Sequence, residues 1–370
     1  MKRYGHLFEQ VYAEDNLYRS YQQARKGKRD RADVVHYELN LEAELTDLRL
    51  SLRNQSYHPG PFRHFTIYER KPRLISVAPF RDRVLHHAVM NIVEPLLDHR
   101  MSDNTYACRT GRGVHQAIKH YQRYANCFQY LLKLDIRKFF PSIDHEVLKG
   151  IFRRRFKDQP LLWLLDTLVD HAPEEAADFP MAYFTDDDLL SPLERKRGLP
   201  IGNLSSQVFA NLYLDDFDHW IKEVARVGGY IRYMDDLFIF GNDKEGLWEA
   251  HNKISKRLGE LRLQLHPGKT QLYRTTERMD VLGVITSRER RWLRNDNGHR
   301  FIRRYRRMLS SVMSGAAGRR EIESRIMSWI GHARYGETER LREKIFNDYP
   351  LHKAVVEGRE NGNWPEAATA

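Results

Sequence analysis

Three aspartates are placed where they could hold metal ions. Asp135 ends the apolar run 130–134, and Asp235 and Asp236 form a pair between the apolar runs 230–234 and 237–240. Because apolar flanks fix a tight turn against a core, we expect the pair at the tip of a strand–turn–strand. Mg²⁺ favours a few carboxylates together with substrate phosphates. Two such ions about 3.5–4 Å apart can stabilise both the attacking and the leaving oxygen of a phosphoryl transfer.

An acidic pair alone has a simpler interpretation, because Asp residues form hairpin turns well without any metal. Composition favours the metal site. The chain has 370 residues, of which 41% are hydrophobic and 30% charged, and 61 Lys and Arg against 50 Asp and Glu give a net charge of +11. Such a globular, basic chain predicts an anionic partner, with nucleic acid or a membrane surface as the usual choices.

Other functional classes are disfavoured. No run approaches 18 apolar residues, and polar sequence follows the N-terminus, so we expect neither a membrane span nor a signal peptide. Two cysteines, Cys108 and Cys127, are too few for a disulfide scaffold or a Cys-rich zinc site. The sequence therefore predicts a soluble intracellular protein.

Hydrophobic periodicity indicates the elements that position the aspartates. A break at 57–61 precedes two strand-like runs, 62–69 and 73–77, which predict a hairpin with a basic tip. Further strands are expected at 130–135, on both sides of the aspartate pair, and at 281–286. Helices are expected at 81–97, 145–171, 204–225 and 246–262.

These motifs have a familiar order. Tyr233-Met234-Asp235-Asp236 resembles the signature turn of reverse transcriptases, and 134–143 resembles their first catalytic motif. Further segments resemble motifs of the group II intron lineage, in chain order 71–75, 82–84, 105–117 and 266–270. The resemblance runs from about residue 60 to 285, and more loosely to 350.

One motif narrows the resemblance. Ile201-Gly202-x-x-x-Ser206-Gln207 replaces the Gln-Gly-x-x-x-Ser-Pro of most reverse transcriptases, and it is similar to the enzymes of diversity-generating retroelements. The segment 329–333 also resembles that group. Relatives in bacterial antiphage defence share much of this region, so a defence enzyme working with a noncoding RNA is the alternative. A non-catalytic RNA-binding scaffold is a third hypothesis, which the intact aspartates disfavour.

The resemblance implies an α+β right-hand polymerase, with an antiparallel sheet and helices in the palm. The implied regions are an N-terminal helical extension (1–60), fingers (61–130), palm (131–285, with an acidic insert at 172–196), thumb (286–350) and a disordered tail (351–370). The acidic insert is expected to be a solvated loop, with a protein-docking surface as the alternative. No RNase H-like or endonuclease segment is expected.

The resemblance also implies the metal ligands. Asp135 and Asp235 would bridge two Mg²⁺ ions, the Ile136 carbonyl would add a ligand, and Asp236 would shape the site and bind metal less directly. Mn²⁺ is expected to be able to substitute. A primer 3′-hydroxyl would be the nucleophile and pyrophosphate the leaving group.

Further residues would bind the incoming nucleotide. Lys71 and Arg73 are expected to clamp its triphosphate, because Arg presents a fixed fork of donors that suits phosphate. Lys269 is expected to protonate the departing pyrophosphate. For each of these three residues the alternative is a solvated surface charge.

The resemblance places Phe140 under the sugar, where it would exclude a 2′-hydroxyl, while Phe139 would point into the core. Gly202 would let the backbone approach the nucleotide, and Gln207 belongs to the same nucleotide-binding motif. Ile201 stands where a Gln would form a hydrogen bond near the base. Looser base selection is therefore a hypothesis.

Basic residues are expected to contact the nucleic acid. They are Arg109 and Arg112 in the fingers and Arg300, Arg303, Arg304 and Arg307 in the thumb. The thumb residues lie among nine arginines between 288 and 307, interleaved with Trp292, Phe301 and Tyr305, which predicts phosphate contact with stacking. A solvated basic helix is the alternative.

The implied partners are a template or noncoding RNA, the cDNA and dNTPs, with no membrane. A small accessory protein, or a second protein of the same operon, is also expected. The implied location is the cytoplasm, for a bacterial or phage-encoded enzyme.

The sequence departs from the family pattern at the segment expected to contact the primer. Val281-Leu282-Gly283-Val284 replaces the usual Phe-Leu-Gly-Tyr, so aromatic contacts to the primer are not expected.

Overall fold

The computed structural model describes residues 3–68, 72–172, 182–185, 187–316 and 318–351. The chain divides into two compact units. The first unit comprises residues 1–113 and 132–272, and the second comprises residues 114–131 and 273–370. Lys71, much of the acidic stretch and the tail after residue 351 lie outside the described residues. The boundaries of fingers, palm and thumb stay a prediction.

The chain combines helices with short strands, and the pairs β1–β2, β4–β5, β7–β8 and β8–β9 are antiparallel, which confirms the predicted α+β class. The helices are α1 (Phe8–Val11), α2 (Glu14–Arg25), α3 (Ala32–Leu39), α4 (Leu41–Arg53), α5 (Phe80–Asp98), α6 (Val114–Cys127), α7 (Phe139–Ser142), α8 (His145–Arg155), α9 (Gln159–Asp170), α10 (Ser191–Glu194), α11 (Leu204–Tyr213), α12 (Asp215–Glu223), α13 (Lys244–Glu260), α14 (Asn295–Met313), α15 (Arg319–Ala333) and α16 (Glu339–Asp348). The strands are β1 (Arg63–Tyr68), β2 (Pro72–Val77), β3 (Tyr130–Asp135), β4 (Gly229–Tyr233), β5 (Asp236–Gly241), β6 (Gln271–Arg274), β7 (Met279–Val281), β8 (Val284–Thr286) and β9 (Arg291–Leu293).

A four-stranded sheet carries the aspartates, and its strand order is β4-β5-β3-β6. β4 and β5 pair antiparallel from Gly229↔Phe240 to Tyr233↔Asp236. Four consecutive residues of β5, 237–240, are fully buried, because both faces of this strand are covered. The predicted strands at 130–135 and around the aspartate pair are confirmed, as is the helix at 81–97, which is α5.

The predicted hairpin is also confirmed, with β1 and β2 antiparallel from Arg63↔Val77 to Tyr68↔Pro72, while its predicted basic tip lies outside the described residues. Its base is joined to the loop before α11, where Ser76 N donates to Ile201 O at 2.9 Å. Gly202 in this loop has φ +121°, and a Cβ there would lie 2.9 Å from Ile75 Cγ2 and 3.4 Å from Ser76 O. The absence of a side chain at Gly202 therefore allows strand β2 to pack closely against this loop.

Two predicted helices are interrupted. The helix expected at 145–171 is α8 and α9, since the Asp158 side chain accepts from Leu161 N at 3.4 Å and starts a new helix. The helix expected at 204–225 is α11 and α12, separated at Leu214. α12 begins with a run of acidic residues, which suits the positive end of a helix dipole.

The second unit contains a three-stranded sheet, β7-β8-β9, and helices. The strand expected at 281–286 is wrong, because Leu282 and Gly283 both have positive φ and form the two-residue turn between β7 and β8. The unit's core lies between α14, α15 and α16 and comprises Phe301, Tyr305, Leu309, Val312, Ile322, Ile326 and Ile345.

None of the helices in the described part of the chain combines the length and the hydropathy that crossing a bilayer requires.

Replacing Gly202 with alanine is expected to lower the free energy of unfolding by about 1–3 kcal/mol, because the new Cβ would meet Ile75 at a strained φ. Gly150→Ala is the matched control. It lies inside α8 with no atom within 4 Å of its Cβ position, so we expect a gain of up to about 1 kcal/mol. Urea unfolding of both variants measures the difference. Equal effects would contradict the proposed packing of Gly202.

Candidate active site

The aspartate pair occupies the tight turn between β4 and β5. Tyr233 pairs with Asp236, so Met234 and Asp235 are the two turn residues. Met234 has φ +54°, a conformation that costs a non-glycine residue energy and is often kept at functional sites. The turn thus presents two adjacent carboxylates on a backbone that its strands hold in place.

Asp135 reaches the same place from the neighbouring strand. It ends β3, which lies beside β5 in the sheet. The amide of the next residue, Ile136, donates to Asp235 O at 3.0 Å, and Asp135 O accepts from His266 N at 2.8 Å. A main-chain hydrogen bond therefore joins the end of β3 to the turn and places Asp135 next to the residues of the aspartate pair.

Cations balance these carboxylates. Lys269 Nζ lies 2.5 Å from Asp135 Oδ2, in a salt bridge whose acid is 11% exposed. The lysine ends a short 3-10 helix, Pro267–Lys269, and this helix is capped by the His266 side chain, which accepts from Gly268 N at 3.1 Å. An ion pair thus joins Lys269 to Asp135, while the predicted role of Lys269 as proton donor to pyrophosphate stays a prediction.

Burial raises the pKa of both turn aspartates. For Asp236 the pKa rises to about 6, mainly through burial and also through the charges of Asp235 and Asp135, while Lys133 and Lys269 oppose the rise. Burial likewise raises the pKa of Asp235, and the charges of Lys269 and of Arg73 in β2 oppose this rise. The site is therefore one in which an added positive charge is favourable.

The donor set fits Mg²⁺. In the described residues, His, Cys, Asp and Glu side chains form no preassembled cluster of three or more metal ligands. Mg²⁺ does not need one, because it is usually held by one or two carboxylates together with substrate phosphates and water. Asp135 and Asp235 would supply those carboxylates, and the crowding that raises the pKa of Asp235 and Asp236 is relieved by a bound cation.

A fully buried arginine supports the turn. Arg232 lies on β4, and its Nη2 donates to Asp218 Oδ2 at 2.6 Å, with Nε 2.8 Å from Asp218 Oδ1. Its Nη1 donates to Asn211 Oδ1 at 3.1 Å and to the turn carbonyl Met234 O at 3.3 Å. The guanidinium thus joins α11 and α12 to the strained residue of the turn.

The network continues around Asp218. Tyr230 OH donates to Asp218 Oδ1 at 2.6 Å, and Thr105 Oγ1 donates to Asp218 Oδ2 at 2.7 Å. The main chain of Arg232 adds a bond from its N to Asn104 O at 2.8 Å. This network was not predicted from the sequence. Arg232 inside an apolar strand could have indicated it, because a buried charge must be paired.

The predicted nucleotide-binding residues are mostly accessible. Phe139 is buried, whereas Phe140 beside it is half-buried, and Ile201 is likewise half-buried. Gly202, Gln207 and Arg73 are exposed. The contact of Gly202 with β2, described above, is one that the sequence did not indicate. The nucleotide-binding roles themselves stay predictions.

The two basic residues predicted in the fingers are engaged within the protein. Arg109 is 5% exposed, and its guanidinium donates to Asp98, Ser102 O and Thr105 O, so the prediction that it contacts nucleic acid is wrong. Arg112 pairs with Asp103 at 2.6 Å and is 28% exposed. The N–H groups of Arg109 donate to carbonyls of a loop, and the position of such carbonyls cannot be predicted from sequence patterns.

In α14 the aromatic residues and the arginines face opposite ways. Phe301 and Tyr305 are buried, and the Phe301 ring lies 3.7 Å from that of Trp329, so the prediction that they stack on bases is wrong. Trp292 lies under the Arg278 guanidinium, 4.3 Å from it. The predicted contact residues Arg300, Arg303, Arg304 and Arg307 are all exposed. Arg300 pairs with Asp296 at 3.1 Å.

The acidic stretch is described only in part. Asp187 pairs with Arg195, and Asp188 Oδ1 accepts from Ser191 N at 2.7 Å at the start of α10. The expectation of a merely solvated loop is therefore wrong for Asp187, whose side chain is 3% exposed, whereas Asp188 is exposed as expected.

Comparison with known proteins gives a family match. Residues 64–286 match the model of the family "Reverse transcriptase (RNA-dependent DNA polymerase)". The group II intron-encoded protein LtrA of Lactococcus lactis subsp. cremoris is 25% identical over 186 residues, covering 50% of this chain and 29% of LtrA. The retron Mx162 reverse transcriptase of Myxococcus xanthus is 26% identical over 310 residues, covering 76% of this chain and 61% of that protein.

A third similar protein is YkfC of Escherichia coli (strain K12), which is 22% identical over 301 residues, covering 70% of this chain and 76% of YkfC. The alignment with LtrA, by contrast, spans less than a third of LtrA.

The Asp218→Asn variant is expected to lose about 3–5 kcal/mol of unfolding free energy, because it leaves the fully buried Arg232 guanidinium without its counter-charge. Glu260→Gln is the control. It breaks the exposed pair with Arg257 and should cost less than about 1 kcal/mol. Chemical denaturation measures both. Similar losses in the two variants would show that the Arg232 pair is not a strong constraint.

The Asp236→Asn variant, measured in EDTA at pH 7.5, is expected to have a free energy of unfolding about 1–3 kcal/mol higher than the native chain. The reason is that it removes the buried charge of a carboxyl whose pKa is raised to about 6. A raised acid pKa means that the folded state binds the proton more tightly. The gain should therefore shrink as pH falls from about 6 to about 4, where the native carboxyl becomes neutral.

The exposed Asp30→Asn serves as the reference for that titration. A gain that does not depend on pH, or a loss at pH 7.5, would contradict the assignment of a penalised buried charge to Asp236.

Proposed function

Because this chain belongs to the reverse transcriptase family, with the right-hand polymerase fold of that family, we propose that it is an RNA-directed DNA polymerase. It would extend a primer with dNTPs on an RNA template. One observation carries the proposal: Asp135 ends β3, Asp235 lies in the turn between β4 and β5, and the Ile136 N–H donates to Asp235 O at 3.0 Å, which joins the two segments. Two acids fixed in this way are what metal-assisted phosphoryl transfer requires.

Two Mg²⁺ ions, when bound, would activate the primer 3′-hydroxyl and neutralise charge on the leaving pyrophosphate. Asp135 and Asp235 would hold them, and the Ile136 carbonyl would contribute a further oxygen. Asp236, on the strand side of the turn, would keep the local charge negative. The charge of Lys133, which opposes the raised pKa of Asp236, fits this supporting role.

Lys269 and Arg73 would act on the triphosphate. In the unliganded site Lys269 Nζ pairs with Asp135 Oδ2 at 2.5 Å, which holds the lysine beside the carboxylates. From there it would donate a proton to the departing pyrophosphate. The charge of Arg73 acts on Asp235 and opposes the rise of its pKa. An arginine there can bind triphosphate oxygens with its fork of donors.

Selection of the nucleotide would rest on two residues. The half-buried Phe140 would lie under the sugar and exclude a 2′-hydroxyl, while the buried Phe139 anchors the helix α7 that carries both. Ile201 cannot replace the hydrogen bond that a glutamine would offer near the base. We propose that this loosens base selection.

The sequence pattern from Ile201 to Gln207 supports error-prone cDNA synthesis in a diversity-generating retroelement, on a dedicated structured RNA. The alternative is antiphage defence with a noncoding RNA, and the long acidic stretch favours it as a docking surface for a second protein. An accessory protein of the same operon belongs to either proposal. A scaffold role without catalysis is the remaining alternative.

The test is primer extension by the purified full chain with Mg²⁺, dNTPs and its co-expressed RNA. Asp235→Asn is expected to reduce extension by about 10³-fold or more, since several kcal/mol of transition-state stabilisation is lost. Glu260→Gln, on the surface of α13, should retain activity. Extension that survives Asp235→Asn would overturn the proposed site, and tight RNA binding without extension by the native chain would favour the scaffold.

Sequencing the products separates the pathways. Errors directed to template adenines in one region support diversity generation, whereas faithful or untemplated cDNA supports the defence alternative. Ile201→Gln should lower the adenine error rate, and an unchanged rate would exclude Ile201 as its cause.

A further inference from the structure

Three side chains form a stack on the surface of the second unit. The Arg291 guanidinium lies 4.5 Å from the centre of the Tyr335 ring. The His115 ring lies 3.8 Å from the Tyr335 ring, at an interplanar angle of 12°. Arg291 comes from β9, Tyr335 follows α15, and His115 lies in the first turn of α6, so segments distant in sequence build one ordered column.

Hydrogen bonds fix this column without using the imidazole. Tyr335 OH donates to His115 O at 2.6 Å, and Arg291 Nε donates to Gln122 Oε1 at 2.7 Å. Beside the column, Gly336 fits tightly, since a Cβ there would lie 3.2 Å from Arg291 O. The stack is therefore built into the fold.

The His115 ring ends the column and is exposed. Because Tyr335 covers one face at stacking distance, the exposed area belongs to the opposite face and the ring edge. Partial burial and the nearby charges of His332 and Arg291 lower the pKa of His115, so the ring is neutral at physiological pH. A neutral aromatic face is left open to solvent.

Two exposed cations lie close in sequence to the residues of the stack. Lys119 lies one turn along α6 from His115 and is exposed, and Arg334 next to Tyr335 is exposed too. The nearby Arg290 is 66% exposed and its partner Glu337 51%, so that pair is neutral overall. An aromatic face beside cations suits a single-stranded nucleic acid, whose bases stack while its phosphates are neutralised. A purely apolar protein surface would gain nothing from these cations.

We propose that the open face of His115 stacks an unpaired base of a single-stranded segment of the nucleic acid that this chain binds. The inference rests on the proposed function for the presence of that nucleic acid, and it adds a binding residue outside the polymerase centre. The ligand chemistry, a base on a polyanionic strand, is common to RNA and DNA.

The experiment uses the full chain carrying Asp235→Asn, in EDTA, so that no extension occurs. Single-stranded RNA and DNA oligonucleotides carry 2-aminopurine at successive positions, because stacking quenches its fluorescence, and anisotropy gives the Kd. At one position we expect quenching that His115→Ala abolishes and His115→Phe keeps. His115→Ala should weaken binding by about 5- to 50-fold. His36→Ala, at an exposed site on α3, is the control.

An abasic nucleotide at the quenched position gives the sharper comparison. If His115 stacks a base, removing the base and removing the ring lose the same contact, so the two losses are not additive. Loss with only RNA, or with only DNA, supports the stack and identifies the strand. Native-like binding and quenching by His115→Ala, or equal loss on abasic and intact strands, overturns the inference. Primer extension by the chain with an intact Asp235 tests the proposed function separately.

Discussion

The pairing of Arg232 with Asp218 is the interaction on which the candidate active site depends. A guanidinium with no solvent exposure is tolerated only when its charge and its donors are satisfied. Asp218 and Asn211 satisfy them from two helices, and the one donor bond left over goes to the carbonyl of Met234. The hydrogen bonds that satisfy the buried guanidinium therefore also restrain the turn that carries Asp235.

The same principle explains why the centre is costly to fold. Its strands place Asp135 beside Asp235, and burial raises the pKa of both turn acids, so the charged form of the site is penalised in the absence of a ligand. Such sites exchange folding stability for affinity toward an incoming cation. The rigid sheet and the Arg232 network keep the acids together in spite of that penalty.

Local patterns sufficed for the hairpins and for much of the site. Apolar runs flanking Asp235 and Asp236 predicted their turn, and the order of the motifs predicted that Asp135 would join them. Tertiary partners could not be predicted from local patterns. Asp218 lies fourteen residues from Arg232, and Arg109 donates to carbonyls of a loop. One error was avoidable, because Phe301, Tyr305, Leu309 and Val312 repeat with the period of a buried helix face, which places the arginines of α14 on the opposite side.

The cations around the turn have a consequence for how ligands enter. Asp135, Asp235 and Asp236 carry three negative charges, and the three cations that act on the turn aspartates, Lys133, Lys269 and Arg73, carry three positive ones. These cations offset the three carboxylates only in part, because burial still leaves the pKa of Asp235 and Asp236 raised. Under the proposed function, the phosphates of an incoming nucleotide would take over Lys269 and Arg73, and the metal ions would replace these cations as partners of the carboxylates. Metal and nucleotide would then bind in a mutually dependent way, each supplying the charge that the other leaves unpaired.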